Sequence, residues 1–255
     1  MNISVYQDTA QMAGVAASKV SESLRSAIET RGRAVFVVAT GNSQIEFIES
    51  LVSEPNIDWG SVAMLHLDEY IGIEASHPAS FRRYLDERLI RRVPMGEAHL
   101  IRGEAPDPQS ECDRLNELIG ALDVDVASIG IGENGHLAFN DPPADFEAEA
   151  PYAVVELDAA CRAQQSGEGW FPSVDDVPRH AISMSIRQIM KSRVLVCTVP
   201  DARKAQAVRD CLTGDVSPMR PASILQEHDD AHIYLDSDSA GDLFVSNRKG
   251  EWEEE

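Results

Sequence analysis

The chain of 255 residues is 43% hydrophobic and 25% charged, enough apolar content to bury a core and too little charge for global disorder. Its formal charge of −21 argues against nucleic acid or an anionic membrane as partner, and any anionic substrate would need a local source of positive potential. No apolar run is long enough for a bilayer, no N-terminal secretory pattern is visible, and the scattered Cys112, Cys161, Cys197 and Cys211 form no CxxC pair, so neither a metal site nor a disulfide is expected and a cytoplasmic location is.

In chain order, residues 5–31 place Met12, Val15, Ala16, Val20, Leu24 and Ile28 at helical spacing, with Gly32 as the stop. Residues 33–39 (RAVFVVA) read as a buried strand running into Thr40-Gly41-Asn42-Ser43 and then a helix. Strand, glycine turn and helix is the geometry that aims free backbone N–H groups at an anion, although TGNS alone reads equally as an ordinary capped turn. Residues 62–67 (VAMLHL) form a second strand ending at Asp68-Glu69-Tyr70, where adjacent carboxylates are costly to bury unless paired or used. A helix is expected over 81–93 and another over 106–122.

The stretch from Ser128 to Phe146, SIGIGENGHLAFNDPPADF, begins as a buried strand, turns on glycines and then presents His136, Asn140 and Asp141. A strand is expected over 152–157, an irregular lid-like loop over 158–178, then a strand-like approach and short helix over 178–190. Residues 193–199 (RVLVCTV) form a strand leading into Asp201-Ala202-Arg203-Lys204 and a helix, and residues 232–236 form the last strand. The alternation predicts an α/β fold, a single doubly wound, mostly parallel sheet with helices on both faces (Rossmann-like), over residues 1–246, followed by a mobile acidic tail at 247–255. In such a sheet the four strand ends lie along one edge, where ligands bind.

The combination resembles the glucosamine-6-phosphate deaminase (isomerase) family, whose fold is shared with 6-phosphogluconolactonases. The resemblance covers nearly the whole chain and is most specific at Gly130 to Pro142, GIGENGHLAFNDP, supported by DEY and by His77-Pro78-Ala79-Ser80. It implies conversion of glucosamine 6-phosphate and water to fructose 6-phosphate and ammonium. Asp68 would then be the base moving a proton between C2 and C1, and His136, held by Asp141, would assist ring opening. Gly41, Asn42, Ser43 and Lys204 would grip the phosphate. Asn134 belongs to the same catalytic loop at a position that is Asp in many members, and as Asn it cannot act as an acid or base. No cofactor or metal is needed, the partner is a small amino-sugar phosphate, and a homo-oligomer is compatible with the resemblance.

The chain departs from the family at Arg162 to Phe171, where Glu168, Gly169, Trp170 and Phe171 stand in place of a phosphate-contacting Arg, and at Ala144 to Tyr152, which lacks the basic residues of allosterically activated members. Asp141 also replaces the commoner Glu. Alternatives are galactosamine 6-phosphate as substrate, a 6-phosphogluconolactonase-like hydrolase using His136, and a silent sugar-phosphate-binding regulator. The GHLAFNDP continuation and the joint presence of Asp68, His136 and Lys204 favour the deaminase.

Overall fold

The computed structural model describes residues 1–241 and 243, and the tail expected at 247–255 lies outside them. In chain order the elements are β1 (Asn2–Tyr6), α1 (Thr9–Arg31), β2 (Ala34–Val38), α2 (Ile45–Ser53), β3 (Val62–His66), β4 (Asp68–Tyr70), α3 (Phe81–Leu85) and β5 (Glu97–His99). They continue as α4 (Pro108–Gly120), β6 (Val126–Ile129), β7 (Tyr152–Glu156), α5 (Ala159–Gly167), β8 (His180–Met184), α6 (Ile186–Ile189), β9 (Val194–Val199), α7 (Ala205–Thr213), β10 (Ala231–Asp236) and α8 (Ser237–Ala240).

Seven strands form one sheet in the order β1-β10-β9-β6-β2-β3-β5, and every pairing in it is parallel. All five residues of β2 are buried, as expected for a strand covered on both faces. Its side chains alternate between two cores: Ala34, Phe36 and Val38 face α1 and α2, while Val35 and Val37 face α4 and α7. Among the described residues no helix is long and apolar enough to cross a membrane.

Several elements differ from the expectation. The first segment is not helical from Val5. Asn2–Tyr6 is an edge strand paired with β10, and the helix starts only after Asp8, whose carboxylate accepts from Gln11 N at 2.8 Å. The helix expected over 81–93 keeps only its first turns and passes into a π-helical turn at Asp86–Ile90. The loop expected over 158–178 contains α5, capped by Asp158, which accepts from Cys161 N at 2.6 Å. β4, β8 and β7 form a separate antiparallel three-stranded sheet beside the main one. Tyr70, Phe81, Phe139 and Phe171 pack together beneath it as a third core.

Candidate active site

From β2 the chain runs to β3 and β5 on one side, and from β6 to β9 and β10 on the other. The adjacent pair β2 and β6 is therefore the topological switch point, where loops diverge and leave a crevice. Gly41 to Ser43 leave β2 at that crevice and Gly130 to His136 leave β6 there. Gly41 takes φ +101°, a conformation glycine adopts readily. Asn42 and Ser43 open a 3-10 turn, so their backbone N–H groups have no partner within it. Behind the turn, buried Gln44 donates Nε2 to Thr198 O at 3.3 Å and accepts from Thr198 Oγ1 at 3.0 Å. This clasp crosses β6 and ties the β2 loop to β9.

Asp68 opens β4, opposite Ser183 of β8. Burial, and then the neighbouring Glu69, push its carboxyl up to about 8. Glu69 is spent differently. It accepts from Ser80 Oγ at 2.8 Å and from the N–H groups of Tyr70, Phe81 and Arg82 at 3.0, 3.2 and 3.0 Å. Of the two adjacent carboxylates, one anchors α3 and the other faces the crevice.

His136 sits against Gly132, where an added Cβ would lie 2.3 Å from its Nε2, so only glycine leaves room for the imidazole. Its Nδ1 lies 3.1 Å from Asp141 Oδ1 but off-line for a hydrogen bond. Asn134 joins the two: its Nδ2 donates to Asp141 Oδ1 at 3.0 Å and its Oδ1 accepts from His136 N at 3.1 Å. Burial pushes the Asp141 carboxyl up, but contacts to His136 and Asn134 outweigh it and leave the carboxyl below its usual range. His136, Asp141 and Cys161 bring potential metal-ligand atoms within 4.8 Å of one another, the one such trio among the described residues. Burial, then Asp141 and Asp158, hold the Cys161 thiol protonated, a form that packs rather than ligates.

Gly41, Ser43, Asp68, His136 and Lys204 line one cavity of about 80 Å³. The other three expected residues stand outside it. Asn134 and Asp141 lie behind His136, and Asn42 turns its side chain to Glu168 O at 3.1 Å. Lys204, 5% exposed, makes no ion pair or side-chain hydrogen bond among the described residues. Burial lowers its ammonium pKa, partly countered by Glu168 and Glu133.

Thr40 of the same turn also lines the cavity, as do three residues that were not anticipated there, Gln164, Gln165 and Glu168. The last three come from α5 and its C-terminal turn. Glu168 is held there by Gln164 Nε2 at 2.9 Å and Trp170 Nε1 at 3.3 Å. Gln165 accepts from Tyr70 Oη at 2.6 Å. Arg162 points elsewhere, donating to the carbonyls of Val174 and Val177.

Residues 7–234 match the family described as glucosamine-6-phosphate isomerases/6-phosphogluconolactonase. The chain belongs to that family. Two relatives named glucosamine-6-phosphate deaminase show how near its members lie. The protein from an Exiguobacterium species is 37% identical over 81% of this chain and 79% of its own length. The Streptococcus agalactiae protein is 35% identical over 90% of this chain and 94% of its own. Among solved structures, a monomeric glucosamine-6-phosphate deaminase superposes with a TM-score of 0.86 at 29% identity, covering 94% of this chain and 99% of that one. A 6-phosphogluconolactonase from Shewanella baltica superposes at 0.78 with 20% identity, covering 93% and 98%, a likeness of fold alone.

Proposed function

We infer that this protein is a glucosamine-6-phosphate deaminase, converting glucosamine 6-phosphate and water to fructose 6-phosphate and ammonium. The names of its relatives at 32–37% identity support the reaction. One observation carries the reading of the site: a buried, unpaired lysine, a carboxyl with a raised pKa and a histidine backed by a carboxylate line the same crevice.

In this reading the phosphate rests between Lys204 and the backbone N–H groups of Gly41, Asn42 and Ser43. Asn42 contributes its main chain only, because its side chain is engaged with Glu168. His136 moves the proton that accompanies ring opening, with the Asp141 carboxylate beside its Nδ1. Asn134 is a positioning residue that holds Asp141 against the histidine loop. Asp68 removes the C2 proton of the open chain and returns it to C1, after which water replaces the amine at C2. A carboxylate suits this shuttle, since one oxygen can serve both adjacent carbons. The ring opening and the C2-to-C1 shift move protons only, and the last step exchanges the C2 nitrogen, which leaves as ammonium, for the oxygen of water, so no electron acceptor is needed. A cytoplasmic location fits four free, buried cysteines.

The reading is tested with Asp68→Asn. Solvent deuterium should enter C2 of glucosamine 6-phosphate with the wild type and not with the variant, while the substrate still binds. Undiminished exchange in the variant removes Asp68 as the base. Hydrolysis of a 6-phosphogluconolactone without ammonia release would move the protein to the lactonase side of its family.

A further inference from the structure

A second concavity lies apart from the crevice just described. It encloses about 670 Å³ beside β5, the edge strand of the main sheet, between α3 and its π-helical extension on one side and α4 on the other. Arg82, Arg83, Arg91, Arg102, Arg114 and His99 line it. The chain has 22 Lys and Arg against 43 Asp and Glu, so five guanidiniums around one hollow run against the character of the surface.

The ion pairs around the hollow leave capacity for a ligand. Arg102 makes no ion pair and no side-chain hydrogen bond among the described residues and lies exposed. Arg83 pairs with Glu87 at 2.9 Å and Arg91 with Asp86 at 2.6 Å, and these half-exposed carboxylates sit on short surface pairs that yield readily to a competing anion. Arg82 is buried, with Glu104 on its terminal nitrogens. Its Nε has no hydrogen-bond partner, the nearest carboxylate oxygen being Glu69 Oε2 at 3.6 Å. Arg114 is the most committed, bound to Glu111 and to Leu100 O.

We propose that this hollow is a binding site for a phosphorylated small molecule. Planar guanidinium forks match the oxygens of a phosphate in pairs, which a single lysine cannot do. The volume falls within the range of roughly 300–1,000 Å³ of small-molecule sites. Size also selects against a polyanion, because nucleic acid would extend beyond the hollow onto a surface whose net charge repels it. The site is separate from the crevice and does not depend on the reaction assigned to it.

Inorganic pyrophosphate is the probe, titrated calorimetrically into the full chain carrying Lys204→Ala, which disables the anion grip of the crevice. Binding should persist there and weaken about tenfold or more when Arg91→Ala and Arg102→Ala are added. Both arginines are exposed, and an unchanged circular dichroism melt confirms that the variant is folded. Binding that vanishes with Lys204→Ala alone, binding that ignores the two arginine changes, or no binding to the wild type each overturns the proposal.

Discussion

For Asp68, proposed above as the base, burial matters because it raises the carboxyl pKa to about 8. A carboxylate of ordinary pKa is a weak base toward a carbon acid, and raising its pKa narrows that gap. The free enzyme should therefore show kcat/KM rising with pH through about 8, as the Asp68 carboxyl ionises. A profile already flat well below that value would contradict the assignment. The same shift bears on stability. In the unfolded chain this carboxyl ionises near 3.8, so between there and about 8 the folded state holds a proton that the unfolded state has lost. Its contribution is fully present below the unfolded value and declines as pH rises through the folded one, by up to about 1.4 kcal/mol per pH unit. Asp68→Asn removes that decline, so urea melts should show the variant gaining on the wild type between pH 3.8 and about 8, with no further gain above that. Parallel pH dependence in the two proteins would mean that Asp68 is not buried as described.

At the scale of elements, the crevice depends on α3 being fixed at its start, and Glu69 is the fastener. Glu69→Ala strips the acceptor from the Phe81 and Arg82 N–H groups and from Ser80 Oγ, and leaves Arg82 facing one carboxylate fewer. Losing several buried acceptor contacts should cost about 3 kcal/mol or more, read from denaturant midpoints. A loss below about 1 kcal/mol would show that water replaces the carboxylate. The strands leading to Gly41, Asp68, His136 and Lys204 were legible because parallel strands buried on both faces are written as unbroken apolar runs, and the site residues follow where those runs stop. β5 was not legible: Glu-Ala-His is polar and sits on a sheet edge, so no core imposes a pattern on it. β1 was hidden because Val5 extends the apolar spacing of α1, and only the cap at Asp8 separates the two. α5 buries little besides Cys161 and Gln165, so its sequence carries no apolar stripe. Gln164, Gln165 and Glu168 enter the crevice through the tertiary placement of that helix, which no local spacing records.

For the molecule as a whole, charge and architecture pull on the substrate in opposite senses. A net charge of −21 repels a sugar phosphate over the approach distance, whereas buried Lys204, in the role proposed for it, would attract it only once it is inside. Salt screens the first effect, with a Debye length of about 10 Å at 0.1 M, and reaches the buried second one much less. Accordingly kcat/KM should rise as salt is added from very low ionic strength, the reverse of a steered enzyme, and a steady fall would show that local attraction governs encounter. Entry also needs space, because about 80 Å³ falls short of the roughly 300 Å³ at the low end of small-molecule sites. The Gln44–Thr198 clasp decides where that space comes from. It locks the loop after β2 to β9, the strand that leads into Lys204, across the middle of the sheet. Those two arms form a fixed jaw, so we expect the space to come from α5 and Glu168, which hydrogen bonds from Asn42 Nδ2 and Glu133 N hold against it in the closed form. Amide hydrogen exchange should be fast through 158–171 and slow along β2 and β9, with phosphate ester slowing only the former. That outcome would separate measuring the ligand from admitting it: the rigid jaw would set the span a phosphate must fit, and the mobile one how often a candidate is tried.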